Sequence, residues 1–286
     1  MADIISIINM KGGVGKTTLS IGIADYLAEK GKSVLIIDAD PQFNATQALL
    51  DTYKCYSYED DTKNFYTEAI LPSLKTIYKL FKPVQSLQER QPDIPTSEEL
   101  IINLKTNLDI VCGDLNLVLI NNSGDYKNIK KMKRFINENN LREKYDYIII
   151  DCPPTLTIYT DSALLVSDYY LIPNRIDRYS IVGIDSLQKA VNNLKREEDI
   201  KLKCIGLVYT MIKNDLPQKQ ENIRIDFESK TSAGEIDIFT SSLGIVDHIQ
   251  WGKSGAVPTK YTNSYKDIEA ISLELLEKIS RVKGVD

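Results

Sequence analysis

The stretch Lys11-Gly-Gly-Val-Gly-Lys-Thr-Thr18 follows directly on the apolar run Ile4 to Ile8 and leads into the helix-forming residues Thr17 to Lys30. That order predicts a strand, a glycine-rich turn and a helix. Successive backbone N–H groups and the positive end of the helix then converge on one point, a geometry that suits a phosphate. Gly12, Gly13, Val14 and Gly15 would form the backbone cradle, with glycine allowing close approach. Lys16 is placed to neutralise the β and γ phosphates, Thr17 to offer its hydroxyl to Mg²⁺, and Thr18 to hydrogen-bond a phosphate.

The general phosphate-loop pattern G-x-x-x-x-G-K-[ST] requires glycine where this chain has Met10. The loop is therefore of the deviant Walker kind, marked by a second lysine, Lys11, inside it. A solvated surface lysine and a charge used on phosphate are both open readings of Lys11.

The strand-then-helix unit recurs along the chain. Apolar runs at 34–37, 108–111, 147–150, 169–172 and 204–208 alternate with helical stretches at 129–139, 181–195, 217–229 and 265–281. Val34-Leu-Ile-Ile37 and Tyr147-Ile-Ile-Ile150 lack polar alternation, as central parallel strands covered on both faces do. The expected fold class is α/β: a doubly wound, mostly parallel sheet flanked by helices on both faces. With 286 residues, 43% of them hydrophobic, one core suffices, so residues 1–286 are expected to form a single P-loop domain. Residues 51–107 break the alternation, being rich in tyrosine early and carrying Pro83, Pro92 and Pro95, and are expected to be an irregular insertion. In the last helix Ile268, Ile271, Leu275 and Ile279 make one buried stripe.

Two acidic stretches follow predicted strands, Asp38-Ala-Asp-Pro-Gln42 and Asp151-Cys-Pro-Pro154. Ligands in open α/β sheets bind outside the carboxyl ends of strands, so these segments and the glycine loop share one crevice. Asp151 is expected to hold Mg²⁺ through water; an aspartate taken alone could instead be a strand-end cap, a reading that weakens when the acidic stretches are taken together.

Composition removes other classes. The balance of 35 Lys plus Arg against 40 Asp plus Glu gives no global basic field and leaves only local patches for nucleic acid. Cys55, Cys112, Cys152 and Cys204 contain no Cys-x-x-Cys pair, which argues against zinc and disulfide frameworks and fits a reducing cytoplasm. His248 is the sole histidine, too little for a His-based metal site or a Ser-His-Asp engine. No apolar run reaches the ~18 residues of a spanning helix. Ile4 to Ile8 lacks the basic flank of a signal peptide.

The three stretches, with Asn44-Ala-Thr46, closely resemble the ParA-type ATPases of plasmid and chromosome partition, within the ParA/MinD superfamily. Leu108-Asp-Ile110 before Gly113, Leu171-Ile-Pro173 leading to Ser180 and Gly183, and Gly206 to Met211 extend the resemblance over most of the chain. It implies ATP and Mg²⁺ as cofactors, with Asp40 orienting the attacking water and Asp38 assisting the metal shell. It implies a nucleotide-sandwich homodimer in which Lys11 reaches the partner's phosphates, a contribution of about 10³ to 10⁵ in rate. Thr210 and Met211 would lie near the adenine. The ATP dimer would grip nucleoid DNA without sequence preference, and a centromere-binding, ParB-like partner would stimulate slow hydrolysis and release. The resemblance implies a cytoplasmic, nucleoid-associated protein with no membrane contact.

Candidate DNA contacts are Lys189, Lys195, Arg196, Lys219, Arg224 and Lys230, each of which could be an ordinary solvated charge. Phe43 stands where the family usually has glycine, which predicts a stiffer switch-like loop or altered packing there. Trp251 to Pro258 lacks a glutamate usual in that stretch of the family. Strand one begins so near Met1 that no helix-turn-helix is expected before it. The runner-up is a MinD-like positioning ATPase, which needs a basic amphipathic tail; the last helix instead carries Glu269, Glu274 and Glu277. Iron–sulfur carriers built on the same loop would need a cysteine arrangement that is not found here. An inert nucleotide-binding module is the non-enzyme alternative.

Overall fold

The computed structural model describes residues 1–54, 64–82, 94–120, 126–177, 180–213, 217–231, 236–245 and 255–284. In chain order the principal elements are β1 (Asp3–Ile7), α1 (Lys16–Glu29), β2 (Val34–Asp38), α2 (Asn44–Tyr53), β3 (Ile101–Lys105), β4 (Leu108–Val111), α3 (Lys131–Glu138) and β5 (Tyr147–Asp151). They continue with α4 (Ile158–Val166), β6 (Tyr169–Arg175), α5 (Ser180–Glu198), β7 (Lys203–Ile212), α6 (Gln218–Thr231), β8 (Leu243–Gly244) and α7 (Thr262–Gly284). The strands form one eight-stranded sheet ordered β3-β4-β2-β5-β1-β6-β7-β8. Every pairing is parallel except β3 against β4.

Period-two side-chain alternation explains why the central strands are apolar throughout. Ile4, Leu35, Ile37, Ile148 and Ile150 face a core shared with α3, α4 and α5. Ile5, Ile7, Val34, Ile36 and Ile149 face the opposite core, filled by α1, α2 and α7. The predicted α7 stripe is there: Ile268, Ile271, Leu275 and Ile279 are buried, and α7 packs on α1. The contact is close at Gly22, where an added Cβ would come within 2.5 Å of Ile268 and 2.8 Å of Pro258. Among the described residues no helix is long and apolar enough to cross a membrane.

Within the segment expected to be an irregular insertion, the described residues 64–82 and 94–107 hold several short regular pieces. They supply the antiparallel edge strand β3, joined to β4 by a two-residue turn in which Asn107 takes a φ of 65°, a conformation asparagine tolerates. They also supply a π-helical turn at Tyr66–Ile70 and helical turns at Tyr78–Phe81 and Ser97–Leu100, the last opened by a capping box between Thr96 and Glu99. These pieces are too short for periodicity to show them. Pro83 and Pro92 lie outside the described residues.

Candidate nucleotide site

The carboxyl ends of β1, β2 and β5 bring the glycine loop, Asp38 and Asp151 to one crevice, as the positions of the motifs predict. Gly15 opens α1 in the left-handed region at a φ of 77°, and Gly13 has a φ of 67°, so both need the freedom of glycine. A Cβ added at Gly12 or Gly13 would meet nothing within 4 Å, which leaves open space over the loop. The loop is braced from below. Thr210 donates its hydroxyl to the Val14 carbonyl at 2.8 Å. The Asn9 side-chain NH₂ donates to the Pro173 carbonyl at 2.8 Å, and its Oδ1 accepts the Lys11 N–H at 2.9 Å.

Lys16 is buried and donates from Nζ to the Lys11 carbonyl at 3.1 Å. Burial lowers its pKa, and the charges of Asp151 and Asp40 oppose that. Asp38 and Asp151 stand opposite each other in the β2–β5 register, both fully buried. Thr17 and Ser20 each donate a hydroxyl to Asp151 at 2.8 Å, one to each oxygen. Asp38 accepts the Thr46 N–H at 2.8 Å, the Thr46 hydroxyl at 2.7 Å and the Asp40 N–H at 3.2 Å. Burial first, then repulsion from Asp151, pushes Asp38 well above the usual carboxylate range; burial raises Asp151 too, against the donation from Thr17 and Ser20. Two facing buried carboxylates favour a cation beside them. The all-oxygen donor set of Thr17, Asp38 and Asp151 fits Mg²⁺.

Asp40 is buried in the turn leaving β2. Its Oδ1 accepts the Gln42 N–H and its carbonyl accepts the Phe43 N–H, both at 2.9 Å. Phe43 precedes α2 with a φ of 41°, so it occupies the left-handed conformation that glycine would take most easily. Its ring stacks on Tyr66 with centroids 4.8 Å apart and planes 15° from parallel.

The Lys11 ammonium pairs with Asp177, just beyond β6, rather than folding over its own loop. Met211, at the end of β7, is half-buried with a φ of 56°, beside Thr210, whose side chain is spent under the loop. Thr18 is half-buried in the first turn of α1. Of the basic candidates, Lys189 and Arg196 are exposed and Lys195 half-buried on α5, and Lys219 is exposed on α6, which packs against α5. Arg224 lies 3.0 Å from Glu221 and 3.5 Å from Glu228 on its own helix, which neutralises it locally. The Lys230 side chain lies outside the described residues.

Ser20, Thr46, Asn9 and Asp177 were not assigned roles from sequence. Ser20 could have been found, since it follows Lys16 by one helical turn on the same face. Asp177 is the first acid after the apolar run of β6, the same signal that marked Asp38 and Asp151.

A family model described as an AAA domain matches residues 2–204. The chain is 31% identical over 216 residues to the sporulation initiation inhibitor protein Soj of Bacillus subtilis, covering 74% of each. It is 32% identical over 211 residues to the chromosome partitioning protein ParA of Myxococcus xanthus, covering 73% of this chain and 64% of that one. The crystal structure of a plasmid partition protein from Borrelia burgdorferi shares the fold with a TM-score of 0.70 at 23% identity, covering 97% of this chain and 99% of the other. A deviant phosphate loop, facing carboxylates at the ends of β2 and β5, and these similarities over most of its length show that the chain belongs to the ParA-type family of partition ATPases.

Proposed function

We propose that this chain, acting as one P-loop domain, is an ATP-timed switch for DNA partition. ATP assembles a sandwich homodimer, the dimer holds DNA without sequence preference, and hydrolysis stimulated by a centromere-binding, ParB-like partner releases it. The observation that carries this reading is the placement of Lys11. It sits inside the loop but its ammonium turns away to Asp177, which supports a role for its charge at the nucleotide of a second copy. A charge supplied in trans ties hydrolysis to dimer geometry.

Within one protomer, residues Gly12 to Thr18 would wrap the phosphates with backbone N–H groups, and Lys16 would offset their negative charge. Thr17 and Asp151, with Asp38 assisting, would hold Mg²⁺, which would supply positive charge beside the nucleotide's phosphates. Asp40 would orient the attacking water, and its fixed turn keeps the carboxylate close to Lys16 and the metal-side acids. Met211 would border the adenine. Lys189, Lys195, Arg196 and Lys219 would supply phosphate contacts to DNA. A membrane-positioning role finds no support in α7, whose apolar stripe is already buried against the core.

Molar mass measured by light scattering with ATP and with ADP, with and without non-specific DNA, tests the switch. The expected result is a dimer and DNA retention with ATP only. Asp40→Ala should keep both and stop phosphate release, and Lys16→Ala should abolish dimerisation. Identical mass and DNA retention with ATP and ADP, or an Asp40→Ala protein turning over at the wild-type rate, would overturn the reading.

A further inference from the structure

We propose that Tyr66 and Phe43 form an aromatic clamp that positions the Asp40 loop, and that through it residues 64–77 set the turnover rate. The proposal rests on the reading of Asp40 as the residue that orients water.

The backbone supplies the first argument. Phe43 is a bulky residue held at a φ of 41°, a conformation that persists only where the surroundings over-determine it. The surroundings here are specific. The ring of Phe43 lies flat against that of Tyr66. On its other side, the Phe43 Cβ is 2.7 Å from where a Cβ would stand on Gly113, and Asp38 Cγ is 3.0 Å from the same point. Only glycine at 113 leaves room for Phe43 beside Asp38.

Connectivity supplies the second. The Tyr66 hydroxyl donates to the Gly113 carbonyl at 3.0 Å. The Gly113 N–H donates to Thr46 Oγ1 at 2.8 Å, and Thr46 donates to Asp38. The Phe43 N–H closes the turn that starts at the Asp40 carbonyl. One tyrosine therefore braces the metal-side acid through Gly113 and Thr46, and the water-side acid through Phe43.

Anchorage supplies the third. The Tyr66 N–H bonds to Asn64 Oδ1 at 2.8 Å, Thr76 donates its hydroxyl to Asp114 at 2.6 Å, and the Ile77 N–H bonds to the Cys112 carbonyl at 2.8 Å. Residues 64–77 thus dock on both sides of Gly113, so the clamp is held by more than its two rings. Phe43 is thereby gripped by the neighbouring segment.

Phe43→Gly removes the ring and also the backbone strain, so this variant folds. Steady-state ATP hydrolysis is measured for wild type, Phe43→Gly, Tyr66→Ala and Tyr66→Phe, together with hydrogen exchange at the amides of residues 40–46. In Phe43→Gly and Tyr66→Ala, kcat is expected to fall about tenfold or more, with KM for ATP within about twofold of wild type and faster exchange in the loop. Tyr66→Phe keeps the stack and loses one hydrogen bond, so its kcat stays within about threefold. Unchanged kcat in both ring-removing variants overturns the proposal, as does a rise in KM matching the fall in kcat or unchanged exchange. A wild-type protein that binds ATP without hydrolysing it would remove the reading of Asp40 instead, and the exchange comparison would still decide whether the clamp exists.

Discussion

Lys11 and Asp177 form an ion pair that joins the phosphate loop to the end of β6. The side chains are 40% and 24% exposed, and a pair so open to water is worth at most about 1 kcal/mol. Lys11 is therefore parked, not locked, and under the proposed sandwich dimer the phosphates of a partner's nucleotide would compete with Asp177 for it. Asp177→Asn is expected to shift the midpoint of ATP-dependent dimerisation by less than about fivefold. Lys11→Ala should lower turnover by about 10³ or more and leave nucleotide binding by the monomer nearly unchanged. Sedimentation equilibrium and phosphate release check the two, and a Lys11→Ala protein with wild-type turnover would show that the charge is not used in trans.

The parts of this site that were legible in the sequence are those whose chemistry is local. The glycine loop, Lys16, Asp38, Asp40 and Asp151 announce themselves because each sits in or directly after an apolar run that is itself a strand. The facing of Asp38 and Asp151 was not legible, since it depends on β5 lying beside β2, a matter of strand order over more than 100 residues of chain. The positions of Ser20 and Asp177 were marked in the sequence, but their partners, Asp151 and Lys11, follow only from which strands adjoin β1. Tyr66 was hidden for another reason: it lies on a five-residue π-helical turn, too short to leave a period, in a segment whose prolines suggested irregularity.

Asp25 is fully buried in α1 and gathers donors from four places: the hydroxyls of Tyr53 and Thr259 and the ammonium groups of Lys105 and Lys260. Burial alone would raise its pKa, but the hydrogen bonds from Lys105, Thr259 and Tyr53 outweigh burial and leave it below the ordinary 3.8. Asp25→Asn removes the charge that faces Lys105 and Lys260, which keep Glu29 as a partner, and is expected to cost about 1–3 kcal/mol. A depressed folded-state pKa means that this contribution is complete above the unfolded value and lost as pH falls through the folded one. The difference between wild type and Asp25→Asn in denaturant unfolding should stay level from neutrality to about pH 5 and close below about pH 4. A gap that is the same at pH 3 and pH 7 would contradict this account.

Asp161 behaves in the opposite sense. Burial, reinforced by the charge of Glu197, raises its pKa to about 6. Its ionised form is disfavoured in the fold, so stability is complete below the unfolded value near 3.8 and declines as pH rises through about 6. Asp161→Asn removes that ionisation and is expected to gain about 1–2 kcal/mol at pH 8 and close to nothing below pH 4. Melting curves at the two pH values decide it: equal changes in Tm at both would mean that the carboxylate is not strained by its surroundings.

The DNA assignment can be tested against the local charge around each basic residue. Lys195, Arg196 and Lys219 lie on the neighbouring helices α5 and α6. Arg224 on the same surface region is held between Glu221 and Glu228, so its charge is already offset before any phosphate arrives. Binding that depends on phosphate contacts weakens with salt by about 0.9 in log–log slope for each contact. Lys195→Glu, Arg196→Glu and Lys219→Glu together are expected to weaken ATP-dependent DNA retention and flatten that slope by about 2 to 3. Arg224→Glu alone should leave both nearly as they are. If instead Arg224→Glu flattens the slope while the triple variant does not, the glutamates must release Arg224 on binding, and the contact surface lies along α6 rather than across both helices.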